Sequence, residues 1–156
     1  MSGEEFYLVS LEGGINIKEK VKLRDLAVTK ENLDLNAKKT IVIVEDNDLL
    51  SKVLEYRMQK DGYHVETFTN GEEAIDFLTT NSFDLLITDL YMPFMNGSEL
   101  IQHVRNKIST EVPIMAISAT HEEDVIANIF NIGANDFIVK PFRAGELSVR
   151  IKRLVG

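Results

Sequence analysis

Five polar residues stand directly after apolar, β-branched runs, where their side chains could share one crevice. Glu45 and Asp46 follow Ile41–Val44, Asp89 follows Asp84–Thr88, Ser118 follows Ile114–Ile117, and Lys140 follows Phe137–Val139. Three carboxylates, a hydroxyl and an ammonium suit a divalent cation and a phosphoryl group far better than an apolar ligand. The carboxylates cannot crowd together without a cation, because two like charges about 4 Å apart repel by about 4 kcal/mol at an effective dielectric near 20. Oxygen donors with no His or Cys beside them favour Mg²⁺, with Mn²⁺ also admitted, over Zn²⁺. Each residue alone has a plainer alternative. Asn47 or Asp48 could cap a helix after the acidic pair, and Asp89 could cap a turn. The joint occurrence of all five at run ends is what points to chemistry.

The elements that must position them are strands and helices in alternation. Ile41–Val44 is a continuous apolar run, as a strand covered on both faces requires. Asp48–Lys60 carries Leu50, Val53, Leu54 and Arg57/Met58 at amphipathic helical spacing and ends at Asp61-Gly62, a glycine suited to a left-handed cap. Tyr63–Phe68 reads as the second strand. Thr69-Asn70-Gly71-Glu72 resembles a capping box before a helix over Glu73–Thr80. Phe83–Thr88 is the third strand, and a loop through Met92-Pro93 leads to a helix from about Gly97 to Lys107. Pro113–Ile117, the helix Glu122–Asn131 closed by Gly133, the strand Asp136–Val139 and the helix Phe142–Leu154 complete the pattern. Arg150, Lys152 and Arg153 would sit at the negative end of the last helix's dipole.

Five strands alternating with five helices imply an α/β fold: a doubly wound, five-stranded parallel sheet with right-handed crossovers. Ligands of such sheets bind beyond the carboxyl ends of the strands, where the winding reverses. All five polar residues belong at such ends. Residues 1–38 differ. Phe6–Leu11, Gly13-Gly14 and the alternating Ile15, Ile17, Val21 and Leu23 read as a β-hairpin, and Arg24–Lys38 as a polar linker. The expected division is an N-terminal extension over 1–38 and one domain over 39–156.

Composition narrows the classes. The chain of 156 residues has no cysteine, which removes disulfides, thiolate metal sites and cysteine nucleophiles and fits a reducing cytoplasm. No apolar run approaches the roughly 18 residues of a membrane span, and the N-terminus lacks the pattern of a secretory signal. The net charge of −8 argues against non-specific binding of nucleic acid.

Glu45-Asp46, Asp89 with Met92-Pro93 and Gly97 behind it, Ser118-Ala119 and Lys140-Pro141-Phe142 resemble the signature of response-regulator receiver domains. The likeness covers about residues 39–155, in order and at the matching strand ends. It implies the flavodoxin-like (βα)5 fold with strand order 2-1-3-4-5. It also implies that Asp89 takes a phosphoryl group from a phosphohistidine. Asp46, Asp89 and the backbone carbonyl of Tyr91 would ligate Mg²⁺, with Glu45 holding the ion through water. Lys140 would pair with the phosphoryl oxygens, and Ser118 would bond one of them after transfer. Phe137 matches a switch aromatic whose ring turns inward as Ser118 moves, although a plain core aromatic would look the same. The Lys140–Pro141 bond would be cis.

Such a domain signals and is not an enzyme in the ordinary sense, beyond its own phosphotransfer and dephosphorylation. Its partners would be a histidine kinase or a histidine phosphotransfer protein, a downstream protein target, and a second copy of the chain as a homodimer. Direct contact of this segment with nucleic acid or membrane is not expected. With nothing after the last helix, the expectation is a single-domain regulator or the C-terminal receiver of a hybrid histidine kinase. Three rival readings fit the residues less well. A haloacid-dehalogenase-like phosphatase needs a second aspartate where Tyr91 stands. A flavodoxin-like carrier would meet repulsion between its flavin phosphate and Glu45-Asp46-Asn47-Asp48. A phosphorylation-independent interaction module would typically have lost an acid or the lysine, and none is lost.

Overall fold

A computed structural model of the chain describes residues 37–156. The hairpin expected near the N-terminus lies outside the described residues. From Thr40 onward the chain alternates β1 (Thr40–Val44), α1 (Asp48–Lys60), β2 (His64–Phe68), α2 (Gly71–Thr80), β3 (Leu85–Asp89), α3 (Gly97–Lys107), β4 (Ile114–Ser118), α4 (Glu123–Asn131), β5 (Asp136–Val139) and α5 (Ala144–Val155).

The strands form one parallel sheet in the order β2-β1-β3-β4-β5. Side chains alternate across it with period two, so each strand feeds two cores. Val42, Val44, Leu86, Ala116 and Phe137 pack with Ala74 and Leu78 of α2, Leu100, Ile101 and Val104 of α3, and Ile129 of α4. Ile41, Ile43, Leu85, Ile87, Met115, Ile117 and Ile138 pack on the other face with Leu54 and Met58 of α1 and Leu147, Ile151 and Val155 of α5. The continuous apolar runs are thus strands buried on both sides. The winding reverses between β1 and β3, which opens a crevice at their carboxyl ends.

Three of the five helix starts are set by side chains. Asn47, Asn70 and Asn96 each accept the backbone N–H three residues on, from Leu50 (2.9 Å), Glu73 (3.0 Å) and Glu99 (2.9 Å). The Asn70 cap starts α2 at Gly71, two residues before the expected Glu73, and it is Glu73 that meets Thr69 Oγ1 at 3.0 Å. The last helix begins at Ala144, not Phe142, because Arg143 is still extended (φ −86°, ψ 139°).

Two clamps tie elements at the other edge of the sheet. Arg105 of α3 donates from Nε (3.0 Å) and Nη2 (2.8 Å) to the Gly133 carbonyl, and from Nη2 to Asn135 Oδ1 (2.9 Å), holding the α4–β5 turn. Buried Asp136 accepts from Arg150 Nη1 (2.8 Å) and Arg153 Nη2 (3.0 Å), which ties β5 to α5. Two of the three basic residues assigned to the helix dipole therefore have a specific carboxylate partner.

Candidate functional site

The five expected residues arrive at four strand ends, Glu45 and Asp46 sharing that of β1. Glu45 follows β1 and is 1% exposed, Asp89 is the last residue of β3, Ser118 is the last of β4, and Lys140 follows β5. Backbone bonds lock the ends in place. Leu90 N–H donates to the Ile117 carbonyl (3.2 Å), and Lys140 N–H to that of Ser118 (2.9 Å). The Lys140–Pro141 bond is cis.

The lysine is the centre of the arrangement. Its Nζ donates to Glu45 Oε2 at 3.0 Å and to Asp89 Oδ2 at 2.9 Å. Carboxylate oxygens of Glu45, Asp46 and Asp89 lie within 4.8 Å of one another, with Asp46 exposed and the other two buried. One ammonium thus faces three carboxylates. Glu45 Oε1 also accepts the Asn47 N–H at 3.1 Å, and Asp89 Oδ1 the Tyr91 N–H at 3.3 Å.

Burial pushes the Glu45 carboxyl above its ordinary range. The Lys140 hydrogen bond offsets part of this, and the Asp89 charge adds to it. An ion pair alone would have pulled the acid down, so desolvation is the larger effect. Burial acts on the Lys140 ammonium in the opposite direction, but its bonds to Asp89 and Glu45 outweigh it and the group is held above its usual value. A crevice whose acids outnumber its fixed cation, with oxygen donors only, fits a hard divalent ion.

Ser118 is fully buried and its Oγ accepts the Thr120 N–H at 3.3 Å. Phe137 is 9% exposed and packs in the core with Ala116 and Ile129. Tyr91 is 60% exposed, and its link to the site is its backbone. Gly97 carries a constraint that motif spacing alone does not explain. A Cβ there would lie 2.2 Å from the Asp89 carbonyl oxygen, so the β3–α3 loop closes against the Asp89 backbone only with glycine.

Beside the crevice, an open groove of about 500 Å³ runs between α1 and α5, lined by Leu50, Val53, Leu54, Phe142 and Leu147, with Lys140 at one edge. Its lining is mainly apolar, with Arg57 and Lys140 as its charged members, and it contains no carboxylate. The chemistry belongs to the acidic crevice.

Comparison with known proteins agrees with this fold. The response regulator receiver domain model matches residues 41–152. The transcriptional regulatory protein CrdR of Helicobacter pylori is 37% identical over 115 residues, covering 74% of this chain and 54% of that protein. The chain spans about half the length of the curated relatives it matches. Among solved structures, the non-phosphorylated HemR receiver domain of Leptospira biflexa has a TM-score of 0.72 at 32% identity, covering 76% of this chain and 95% of that one. The receiver domain of the sensor histidine kinase PA1611 from Pseudomonas aeruginosa has a TM-score of 0.71 at 28% identity, covering 77% and 99%. That structure has a magnesium ion coordinated in its active-site cleft. Among the described residues, no helix is long and apolar enough to cross a membrane.

Proposed function

Since the chain belongs to the response regulator receiver domain family, we propose that it takes a phosphoryl group from a phosphohistidine onto Asp89 and signals through the resulting change of conformation. The observation that carries this reading is the Lys140 ammonium bridging Asp89 Oδ2 and Glu45 Oε2 inside a cluster of three carboxylates. A carboxylate oxygen of Asp89 would form the O–P bond as the P–N bond to the donor imidazole breaks. Lys140 would then turn from the carboxylate to the phosphoryl oxygens, and Ser118 would supply a hydroxyl to one of them. Such transfer depends on positioning and charge neutralisation more than on covalent work by the protein. Glu45, Asp46, Asp89 and the Tyr91 carbonyl would hold Mg²⁺, whose charge would offset the phosphoryl oxygens.

The donor would be a histidine kinase or a histidine phosphotransfer protein. The chain's acidic balance disfavours nucleic acid as a direct partner of the receiver. The alternative is a phosphorylation-independent interaction module. The intact set of acids and lysine weighs against it. Incubation with acetyl phosphate and Mg²⁺ should add one phosphoryl group, and Asp89→Asn should abolish it. Equal labelling of that variant would remove Asp89 from the role.

A further inference from the structure

The loop between β3 and α3 has two faces. Met92 and Met95 turn inward against the core, and Met95 lies over Gly71 at the start of α2. Tyr91 and Phe94 turn outward, and Phe94 is 81% exposed, more than any other large apolar side chain among the described residues. The loop is fastened at its base by Gly97 N–H donating to the Leu90 carbonyl at 2.9 Å, so the outward pair is presented on a fixed frame.

Phe94 also sits where a bulky residue does not belong. Its φ is 67°, and it is the only non-glycine residue with positive φ among those described. The Met95 N–H donates to the Pro93 carbonyl at 2.9 Å, closing a three-residue turn around it. That conformation is strained for a residue with a Cβ and relaxed for glycine. Solvent exposure of the ring gains nothing for the fold, and the backbone would be easier without it. Neither packing nor local geometry therefore accounts for an aromatic at this point. Strained residues of this kind cluster at sites of function, and rigid exposed aromatics are typical anchors of interfaces.

What covers the ring follows from the site it flanks. The loop begins at the acceptor itself, with Tyr91 N–H on Asp89 Oδ1. A histidine side chain is short, so a protein delivering a phosphoryl group from one must bring its own surface onto the loops around Asp89. A small donor need not. We propose that Phe94 is a docking residue for the phosphohistidine-bearing protein, packing against an apolar patch beside the donor histidine. This rests on the reading of Asp89 as acceptor.

The test compares the full wild-type chain with Phe94→Gly and Phe94→Tyr. Acetyl phosphate with Mg²⁺ serves as the small donor, and a panel of purified, phosphorylated histidine phosphotransfer domains as the large one. Phe94→Gly should melt no lower than wild type and label normally with acetyl phosphate. Its kcat/KM with the phosphotransfer domain most active on wild type should fall at least about tenfold, the loss typical of one interface anchor. Phe94→Tyr, which keeps the ring, should retain transfer. Equal transfer to Phe94→Gly overturns the proposal. So does loss of acetyl phosphate labelling in that variant, which would make the residue part of the fold. If acetyl phosphate labels wild type but no phosphotransfer domain does, a protein donor seated on this rim is also refuted. Failure of acetyl phosphate to label wild-type Asp89 would instead strike the reading beneath it.

Discussion

Glu45 and Asp46 are neighbours with opposite exposures, and the difference decides what can be tested at each. Glu45 is buried against Lys140, so replacing it disturbs the fold as well as the site. Asp46 is exposed and makes no ion pair among the described residues, yet contributes an oxygen to the carboxylate cluster. Mg²⁺ bound to the native state should raise the melting temperature by mass action, by about 2.7 kcal/mol of stability at a hundredfold excess over its Kd. Asp46→Ala should leave melting without Mg²⁺ nearly unchanged and remove most of the rise. A wild-type protein indifferent to millimolar Mg²⁺ would refute the metal assignment. Gly97 permits a sharper steric test. Its missing Cβ faces the Asp89 carbonyl at 2.2 Å, a backbone atom that cannot swing aside. Gly97→Ala should destabilise by about 1–3 kcal/mol in urea titration and slow labelling of Asp89. Full stability and activity would show that the loop can open freely. The five polar residues were legible in the sequence because each follows a run that can only be a buried strand. Phe94 was not, because a strained loop conformation leaves no periodic trace in the residues around it.

Whole elements were legible for the same reason, and their ends were less so. The Asp48–Lys60 helix and the Asp136–Val139 strand coincide with their expected spans. The strand expected at Phe83 begins at Leu85 and runs through Asp89 itself, so Asp89 is a strand residue and not the first residue of the turn. Hydrophobicity marks which residues are covered, whereas strand limits follow from pairing with β1 and β4, which no single run encodes. The clamps were invisible too, since Arg105 and Gly133 are 28 residues apart. Arg105 holds the Gly133 carbonyl with two donors of one planar fork, a geometry a lysine cannot copy. Arg105→Lys should lose about 1–2 kcal/mol in denaturant unfolding while Mg²⁺ binding at the opposite end of the sheet stays intact. An unchanged unfolding midpoint would show that the α4–β5 turn holds itself.

At the scale of the molecule, the sheet is a partition between two cores. β3 is its middle strand, paired with β1 on one side and β4 on the other. Every residue of β3 is buried, Asp89 included. By contrast, the loop from Tyr91 to Asn96 leans on the core through Met92 and Met95 alone and exposes Tyr91, Pro93 and Phe94. The molecule therefore pairs an unyielding β3 with a loop that is fixed at its base but whose Met92 and Phe94 amides donate no backbone hydrogen bond. Opening β3 requires separating both neighbours and both cores, so its amides have no route to solvent short of global unfolding. Under native conditions, the backbone protons of Leu86, Ile87 and Thr88 should exchange with deuterium last, at the rate set by the full stability of the fold. Those of Met92 and Phe94 should exchange early. Early exchange at Ile87 would mean that β3 breathes on its own.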